Sequence, residues 1–241
     1  MKSHSTAALL VALTLVVPLQ AAGTEPERKE LHVSLLKASG SAFFLVEQSL
    51  GPDAGSEKHY RLHFTPDGTY QNRDDGIDLS EAIKASTGHV FPSPEHLTSI
   101  SIQFVSPTTG FLYGYTTGYG YFPFLYRTAD AGKTWQRLAL SRGADPRLRR
   151  NNFFMFDDKR GIVLTNWDVY FITQDGGVTW SQRQFMLKPV RNGHLEPFYT
   201  TSGQVTVVIR HPDYPSRDSE AHRQVRVLRS DDFGATFREL R

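Results

Sequence analysis

Tyr126-Arg127-Thr128-Ala129-Asp130-Ala131-Gly132-Lys133-Thr134-Trp135 is the stretch on which the reading of this chain turns. The same frame returns as Phe171-Ile172-Thr173-Gln174-Asp175-Gly176-Gly177-Val178-Thr179-Trp180, and again as Leu228-Arg229-Ser230-Asp231-Asp232-Phe233-Gly234-Ala235-Thr236-Phe237. The shared pattern is [ST]-x-D-x-G-x-T-[WF]. A shorter, degenerate copy lies at Thr65-Pro66-Asp67-Gly68-Thr69-Tyr70, so Asp67, Asp130, Asp175 and Asp232 follow one another at intervals of 63, 45 and 57 residues. Each copy has the chemistry of a tight turn between strands. An aspartate accepts hydrogen bonds from turn amides. The glycine takes a positive φ that a β-carbon would penalise. The threonine starts the return strand, and the closing Trp or Phe points back to a packed face.

The flanks repeat with the turn. Upstream of each copy stands a glycine followed by an apolar strand: Gly40–Val46, Gly110–Tyr113, Gly161–Leu164 and Gly203–Ile209. Before each glycine lies another strand-like segment, at Leu31–Leu36, Ile100–Val105, Asn152–Phe156 and Glu196–Thr201. A fourth short strand follows two of the turns, at Gln136–Leu140 and Gln182–Leu187. Four strands per unit in units of about 50 residues are the signature of propeller blades. The fold class expected is all-β: a small β-propeller of four-stranded antiparallel blades, with units at 31–75, 98–140, 150–187 and 195–241. Four units leave three arrangements open: a four-bladed ring, an irregular open propeller, or part of an assembly. Leu79–Ala85 is the best helical candidate, with Asp78 as its N-cap.

Composition sets the limits. The 241 residues hold 27 Lys+Arg against 25 Asp+Glu, a net charge of +2, which argues against a dedicated nucleic-acid binder. With 19 glycines, 13 prolines and 12% aromatics the chain is neither low-complexity nor disordered. The absence of cysteine excludes disulfide staples, thiolate metal sites and a cysteine nucleophile. Residues 1–23 (MKSHSTAALLVALTLVVPLQAAG) have a basic start at Lys2, an apolar run from Ala7 to Val17, a break at Pro18 and small residues at Ala21-Ala22-Gly23. That is the pattern of a secretory signal peptide, too short to span a bilayer. The expectation is a mature chain of residues 24–241 forming one propeller domain, without a transmembrane span, in the periplasm or outside the cell.

The turn motif resembles the Asp-box, or BNR repeat, of bacterial sialidases, sortilin-type receptors, some xyloglucan-active glycosidases and the photosystem II assembly-factor-like exported propellers. The frames Phe104…Gly110-Phe111…Thr128-x-Asp130-Ala131-Gly132-Lys133-Thr134-Trp135 and Phe156…Gly161-Ile162…Thr173-x-Asp175-Gly176-Gly177-Val178-Thr179-Trp180 are most similar to the last group. The resemblance covers residues 31–241 and is strongest from 98 to 182. It implies that Thr128, Asp130, Gly132, Thr134, Trp135, Thr173, Asp175, Gly177, Thr179, Trp180, Ser230, Asp232, Gly234, Thr236 and Phe237 serve structure on peripheral turns. It does not carry activity with it. Sialidase chemistry would require an Arg-Ile-Pro-type segment before the first box, and the sequence lacks one.

Glu47, Asp74, Asp75, Asp157, Asp158, Asp168 and Glu196 lie outside the boxes, and nothing in their spacing singles out a glycosidase pair. His59 and His63 share one face of a strand as two half-exposed imidazoles without a third metal ligand. No catalytic residue, metal or cofactor is expected. The most unusual segment is Gly110–Tyr126 (GFLYGYTTGYGYFPFLY), whose aromatics suit either inter-blade packing or a binding loop with its tip near Thr116–Gly120. Tyr115, Tyr119 and Tyr121 are the candidate partner contacts. Arg147, Arg149 and Arg150, in the basic run around Asp145-Pro146, are candidates for meeting an acidic surface. The polar stretch His211–His222 reads as a long hairpin tip. The functional expectation is a non-enzymatic binder of a protein, or of a glycan, in the cell envelope: an assembly factor, or an inhibitor or immunity-type protein. The rival class is a sialidase-like glycoside hydrolase or glycan-binding protein.

Overall fold

The computed structural model describes residues 31–36, 41–49, 58–69, 76–89, 97–116, 122–140, 153–165, 169–185, 194–210 and 225–240. Residues 1–23, the basic run at 142–150 and the 211–222 stretch lie outside these residues. The chain divides into two compact units, one ending at Leu138 and one beginning at Ala139.

The first unit holds two blades. Blade one is the meander β1 (Leu31–Leu36), β2 (Ser41–Ser49), β3 (Lys58–Thr65) and β4 (Ile77–Asp78). Blade two is β5 (Leu97–Phe104), β6 (Gly110–Thr116), β7 (Phe122–Thr128) and β8 (Gln136–Leu138). Between them sits α1 (Leu79–Thr87). The second unit holds blade three, β9 (Phe153–Met155), β10 (Gly161–Leu164), β11 (Val169–Thr173) and β12 (Ser181–Gln184). It also holds blade four, β13 (His194–Tyr199), β14 (Val205–Arg210), β15 (Arg226–Ser230) and β16 (Arg238–Leu240). All strand pairs are antiparallel, and each sheet runs in chain order. The fold class is therefore all-β, made of four-stranded antiparallel propeller blades. A fourth strand closes all four blades, including blade one, where it is two residues long and lies at Ile77–Asp78.

Side chains explain why these are strands. In Ala42-Phe43-Phe44-Leu45-Val46, Phe111-Leu112-Tyr113 and Ile162-Val163-Leu164 every residue is buried. Alternate residues of a strand point to opposite faces, so an unbroken apolar run means a sheet covered on both sides. In the first unit, Phe43, Leu45, Tyr60 and Leu62 of blade one join Ile100, Ile102, Phe104, Leu112, Phe124, Tyr126 and Trp135 of blade two in one core. Phe43 and Phe104 stack with ring centroids 3.4 Å apart. Each such side chain contributes about 1.5–3 kcal/mol on burial. In the second unit the core joins Phe154, Ile162, Leu164 and Tyr170 of blade three to Leu195, Tyr199, Val205, Val207 and Leu228 of blade four. Phe154 stacks on Tyr199 at 4.5 Å.

The helix forms where the sequence places it, two residues longer than expected. Asp78 Oδ1 accepts from the Glu81 amide at 3.1 Å and caps the N-terminus. Gly88, at φ 70°, ends the helix by donating its amide to the Lys84 carbonyl. Leu79 and Ile83, one turn apart, enter the core of the first unit. Ser86 Oγ accepts the Trp135 amide at 3.1 Å, so the helix braces the corner of blade two.

Candidate functional site

The three full corners are built alike, atom for atom. In blade two the Thr128 hydroxyl donates to Asp130 Oδ1 at 2.9 Å and accepts the amides of Gly132 at 2.9 Å and Asp130 at 3.3 Å. Asp130 then accepts the Thr134 amide on Oδ1 at 2.9 Å and the Thr134 hydroxyl on Oδ2 at 2.6 Å. Blade three repeats this with Thr173, Asp175, Gly177 and Thr179. Blade four repeats it with Ser230, Asp232, Gly234 and Thr236. The second threonine therefore does not start the return strand. It clamps the carboxylate, and in all three corners the outer strand begins two residues later, at Gln136, Ser181 and Arg238. In the degenerate copy the Thr69 amide donates to Asp67 Oδ1 at 3.0 Å, an Asx turn.

Two consecutive residues of each corner take positive φ. The motif glycines lie at 90° (Gly132), 87° (Gly177) and 82° (Gly234), and the preceding residues at 63° (Ala131), 73° (Gly176) and 61° (Phe233). In blades two and four this second left-handed residue has no sequence signal, since Ala and Phe disfavour the region, whereas blade three places Gly176 there. Its compensation is an amide contact across the blade. Ala131 N–H donates to the Thr108 carbonyl, Gly176 N–H to Lys159 and Phe233 N–H to Gly203, at 2.8–2.9 Å. Each corner is thereby docked onto the turn between the first two strands of its own blade. The motif glycine also needs its missing side chain: a β-carbon on Gly132 would strike Leu62 Cδ2, and one on Gly234 would stand 2.6 Å from Ile162 Cδ1.

The aromatic at the end of the motif does two jobs. The Trp135 indole N–H donates to the Gly132 carbonyl at 2.9 Å, and the Trp180 indole to the Gly177 carbonyl at 3.0 Å. Trp135 is 3% exposed, in the core of its unit. Trp180 is only half-buried. Phe237 has no such donor and instead meets Tyr170 and Phe185 edge-on at 5.2 and 5.1 Å.

The turn donors set the charge of the three corner carboxylates. Burial pushes the Asp130, Asp175 and Asp232 carboxyls up, but the hydroxyl and amide donors outweigh it and hold all three below the usual range. Acids fixed in the ionised form by turn donors are poor proton donors for catalysis. Other candidate acids are also engaged. Asp157 accepts the amides of Lys159 and Arg160 and the Arg160 Nε at 2.6–2.9 Å. The Arg160 guanidinium lies 3.6 Å over the Phe233 ring. Glu47 is buried and accepts the Tyr60 hydroxyl at 3.0 Å. Asp74, Asp75 and Asp168 lie outside the described residues.

His59 and His63 do share a face of β3, but they are not alike. His59 is half-buried with Nδ1 3.2 Å from Asp78 Oδ2, whereas His63 is buried. Among the described residues no group of three His, Cys, Asp or Glu side chains could hold a metal. No helix among them is long and apolar enough to cross a membrane.

The aromatic segment of blade two divides. Phe111, Tyr113, Phe124 and Tyr126 are buried on the stems of β6 and β7. The register runs from Gly110↔Thr128 to Tyr115↔Pro123 and Thr116↔Phe122 without a break. Tyr115 therefore sits one residue from the end of β6. Tyr119, Tyr121, Arg147, Arg149 and Arg150 lie outside the described residues.

No protein-family profile matches the chain, and no curated protein matches it. Solved structures do. One, described as YCF48 bound to D1 peptide, is 19% identical over 60% of this chain and 40% of that one, with a TM-score of 0.39. Another, the GH74 enzyme of Niastella koreensis, is 12% identical over 86% of this chain and 29% of that one, with a TM-score of 0.46. The chain thus spans less than half the length of either.

Proposed function

We propose that this protein is an exported, non-enzymatic Asp-box propeller that binds a protein partner in the cell envelope, as an assembly factor or an inhibitor. Export is read from residues 1–23, and the Asp-box assignment from the hydrogen-bonded corners. The observation that supports binding is the β6–β7 hairpin. Its stems are locked by buried aromatics and an unbroken register that ends at Thr116↔Phe122. The five residues between these ends are Thr117-Gly118-Tyr119-Gly120-Tyr121. Tyrosine interleaved with glycine on a rigid scaffold is the composition of recognition loops: large amphipathic contact area at low entropic cost.

The test is capture from the host's envelope fraction, using the protein in the form its host produces. Replacing both loop tyrosines (Tyr119→Ser with Tyr121→Ser) is expected to weaken capture of the partner about 30-fold, the effect of losing one anchor residue of ~2 kcal/mol, with thermal unfolding unchanged. Turnover of an aryl-glycoside panel, abolished by replacing a single acid, would overturn the reading in favour of a hydrolase.

A further inference from the structure

Asp-Gly occurs three times in the chain, at Asp67-Gly68, Asp75-Gly76 and Asp175-Gly176. The pair has a chemistry of its own. A glycine has no side chain to shield its amide nitrogen, so that nitrogen can attack the carboxyl carbon of the aspartate before it. The local fold decides whether it does. Asp75 lies outside the described residues. The other two pairs sit at equivalent corners, of blade one and blade three, and the corners treat them differently.

Asp67 and Asp175 are both exposed, so access of water does not separate them. Bonding does. Asp175 Oδ1 accepts the Thr173 hydroxyl and the Thr179 amide, each at 2.9 Å, and Oδ2 accepts the Thr179 hydroxyl at 2.6 Å. These bonds aim the carboxylate across the corner, toward the residue four places on. The nitrogen that would attack it is occupied too: the buried Gly176 donates its N–H to the Lys159 carbonyl at 2.8 Å. The same donors hold the Asp175 carboxyl ionised, and an ionised carboxylate has no hydroxyl to release as water.

The corner of blade one is two residues shorter. Thr65 stands where Thr173 stands, but its Oγ1 is buried and makes no hydrogen bond among the described residues, so it does not hold the Asp67 carboxylate. Asp67 Oδ1 instead accepts the amide of Thr69, only two residues on, at 3.0 Å. That bond folds the side chain back over the Gly68 peptide and brings the carboxyl carbon toward the nitrogen that would attack it. Gly68 itself is half-buried, at φ 72°.

We propose that Asp67-Gly68 is a site of spontaneous backbone modification, through a cyclic imide to isoaspartate, and that the corner of blade three protects Asp175-Gly176 from the same reaction. The Gly68 nitrogen gives its proton to solvent and bonds to Cγ of the protonated Asp67 carboxyl. The Cγ–OH bond breaks and water leaves. Water then reopens the imide. Addition at Cγ restores aspartate. Addition at the main-chain carbonyl carbon breaks its bond to the Gly68 nitrogen, and the chain thereafter runs through the side-chain carbon. One water leaves and one enters, and nothing is oxidised or reduced. The product carries an extra methylene in the backbone and a free α-carboxylate, which is the group that isoaspartyl carboxyl methyltransferases take as substrate.

The test is to hold the full chain for some weeks at neutral pH in water enriched in heavy oxygen, folded in one sample and unfolded in guanidinium chloride in another. Each passage through the imide leaves a solvent oxygen on the residue, whichever way the ring reopens. Trypsin then places the three pairs in separate peptides, 62–73, 74–84 and 161–183, and fragmentation locates the label. The ratio of labelling at Asp67 to that at Asp175 is expected to be about 30-fold or more higher in the folded protein than in the unfolded chain, because Asp175 must break at least two hydrogen bonds before it reacts. Peptide 62–73 should also yield an isomer of unchanged mass that accepts a methyl group from an isoaspartyl methyltransferase. Asp67→Glu, whose larger imide ring closes slowly, should abolish the label in that peptide. Thr179→Val, at an exposed position, removes one donor from Asp175 and should raise labelling there about three-fold or more, with Asp67 unchanged. A folded ratio within about three-fold of the unfolded one overturns the proposal, as does a folded chain with no label at Asp67. So does a folded Thr179→Val protein that labels Asp175 no faster than the parent; if that variant fails to fold, the ratio in the parent decides alone.

Discussion

Thr128→Val replaces a hydroxyl by a methyl at nearly constant volume and so isolates the hydrogen bonds of one corner. Thr128 is 1% exposed, and its oxygen serves two amides and one carboxylate. The Gly132 N–H, itself buried, would lose its only acceptor in the corner, a penalty of about 1–3 kcal/mol for an orphaned donor. Asp130 would lose the Thr128 hydroxyl from among its donors, worth about 0.5–1.5 kcal/mol. The expected sum is roughly 3 kcal/mol. Thr128→Ser retains the oxygen and should cost less than about 1 kcal/mol, the loss of one methyl; Ser230 already fills this position in blade four. The assay is urea unfolding of parent and both variants, comparing midpoints at constant m-value. A valine variant within about 0.5 kcal/mol of the serine variant would refute the idea that this oxygen holds the corner together.

Gly132→Ala should destabilise by about 2–4 kcal/mol, combining the strain of φ 90° with the clash against Leu62, as read by the same unfolding curves. Trp135→Ala should cost about 3–5 kcal/mol, whereas Trp180→Ala, at a half-buried ring, should cost about half as much; equal losses would contradict the burial difference. The corner carboxyls of Asp130, Asp175 and Asp232 have folded-state pKa values below their unfolded ones, so their stabilisation is present above about pH 4 and is lost as pH falls through the folded values. Urea midpoints measured between about pH 7 and pH 2 should drop in the acid range, and replacing Asp130, Asp175 and Asp232 by Asn should flatten that drop.

The corners were legible because their chemistry is local: within eight residues the aspartate, glycine and hydroxyls that close the turn all stand at fixed offsets. The helix was legible for the same reason, since Asp78 and Gly88 are ordinary caps at either end of a short amphipathic stretch. What the sequence hid is non-local. Nothing about Ala131 or Phe233 announces a left-handed backbone, which is held by an amide reaching the carbonyl of Thr108 or Gly203, some 23 to 30 residues away. Nor does the pattern distinguish His63, buried on a covered face, from His59 four residues earlier. The valine-rich run of β14 looks as thoroughly internal as those of β2 and β10, yet Val208 is only half-buried and its row leads to exposed Leu240. Coverage of a sheet face is a property of its neighbours, which no window of sequence contains.

A turn wired almost wholly to itself makes few demands on the chain that enters or leaves it. Three copies keep the same bond pattern although the two stretches joining them, 45 and 57 residues from aspartate to aspartate, differ by twelve. Short loops are quick to close, and corners of this kind draw most of their bonds from within their own eight residues. They act as prefabricated joints. Between them the protein is free to lengthen, shorten or exchange its connecting segments, and new surface chemistry can be tried there without reopening the question of how the blade folds.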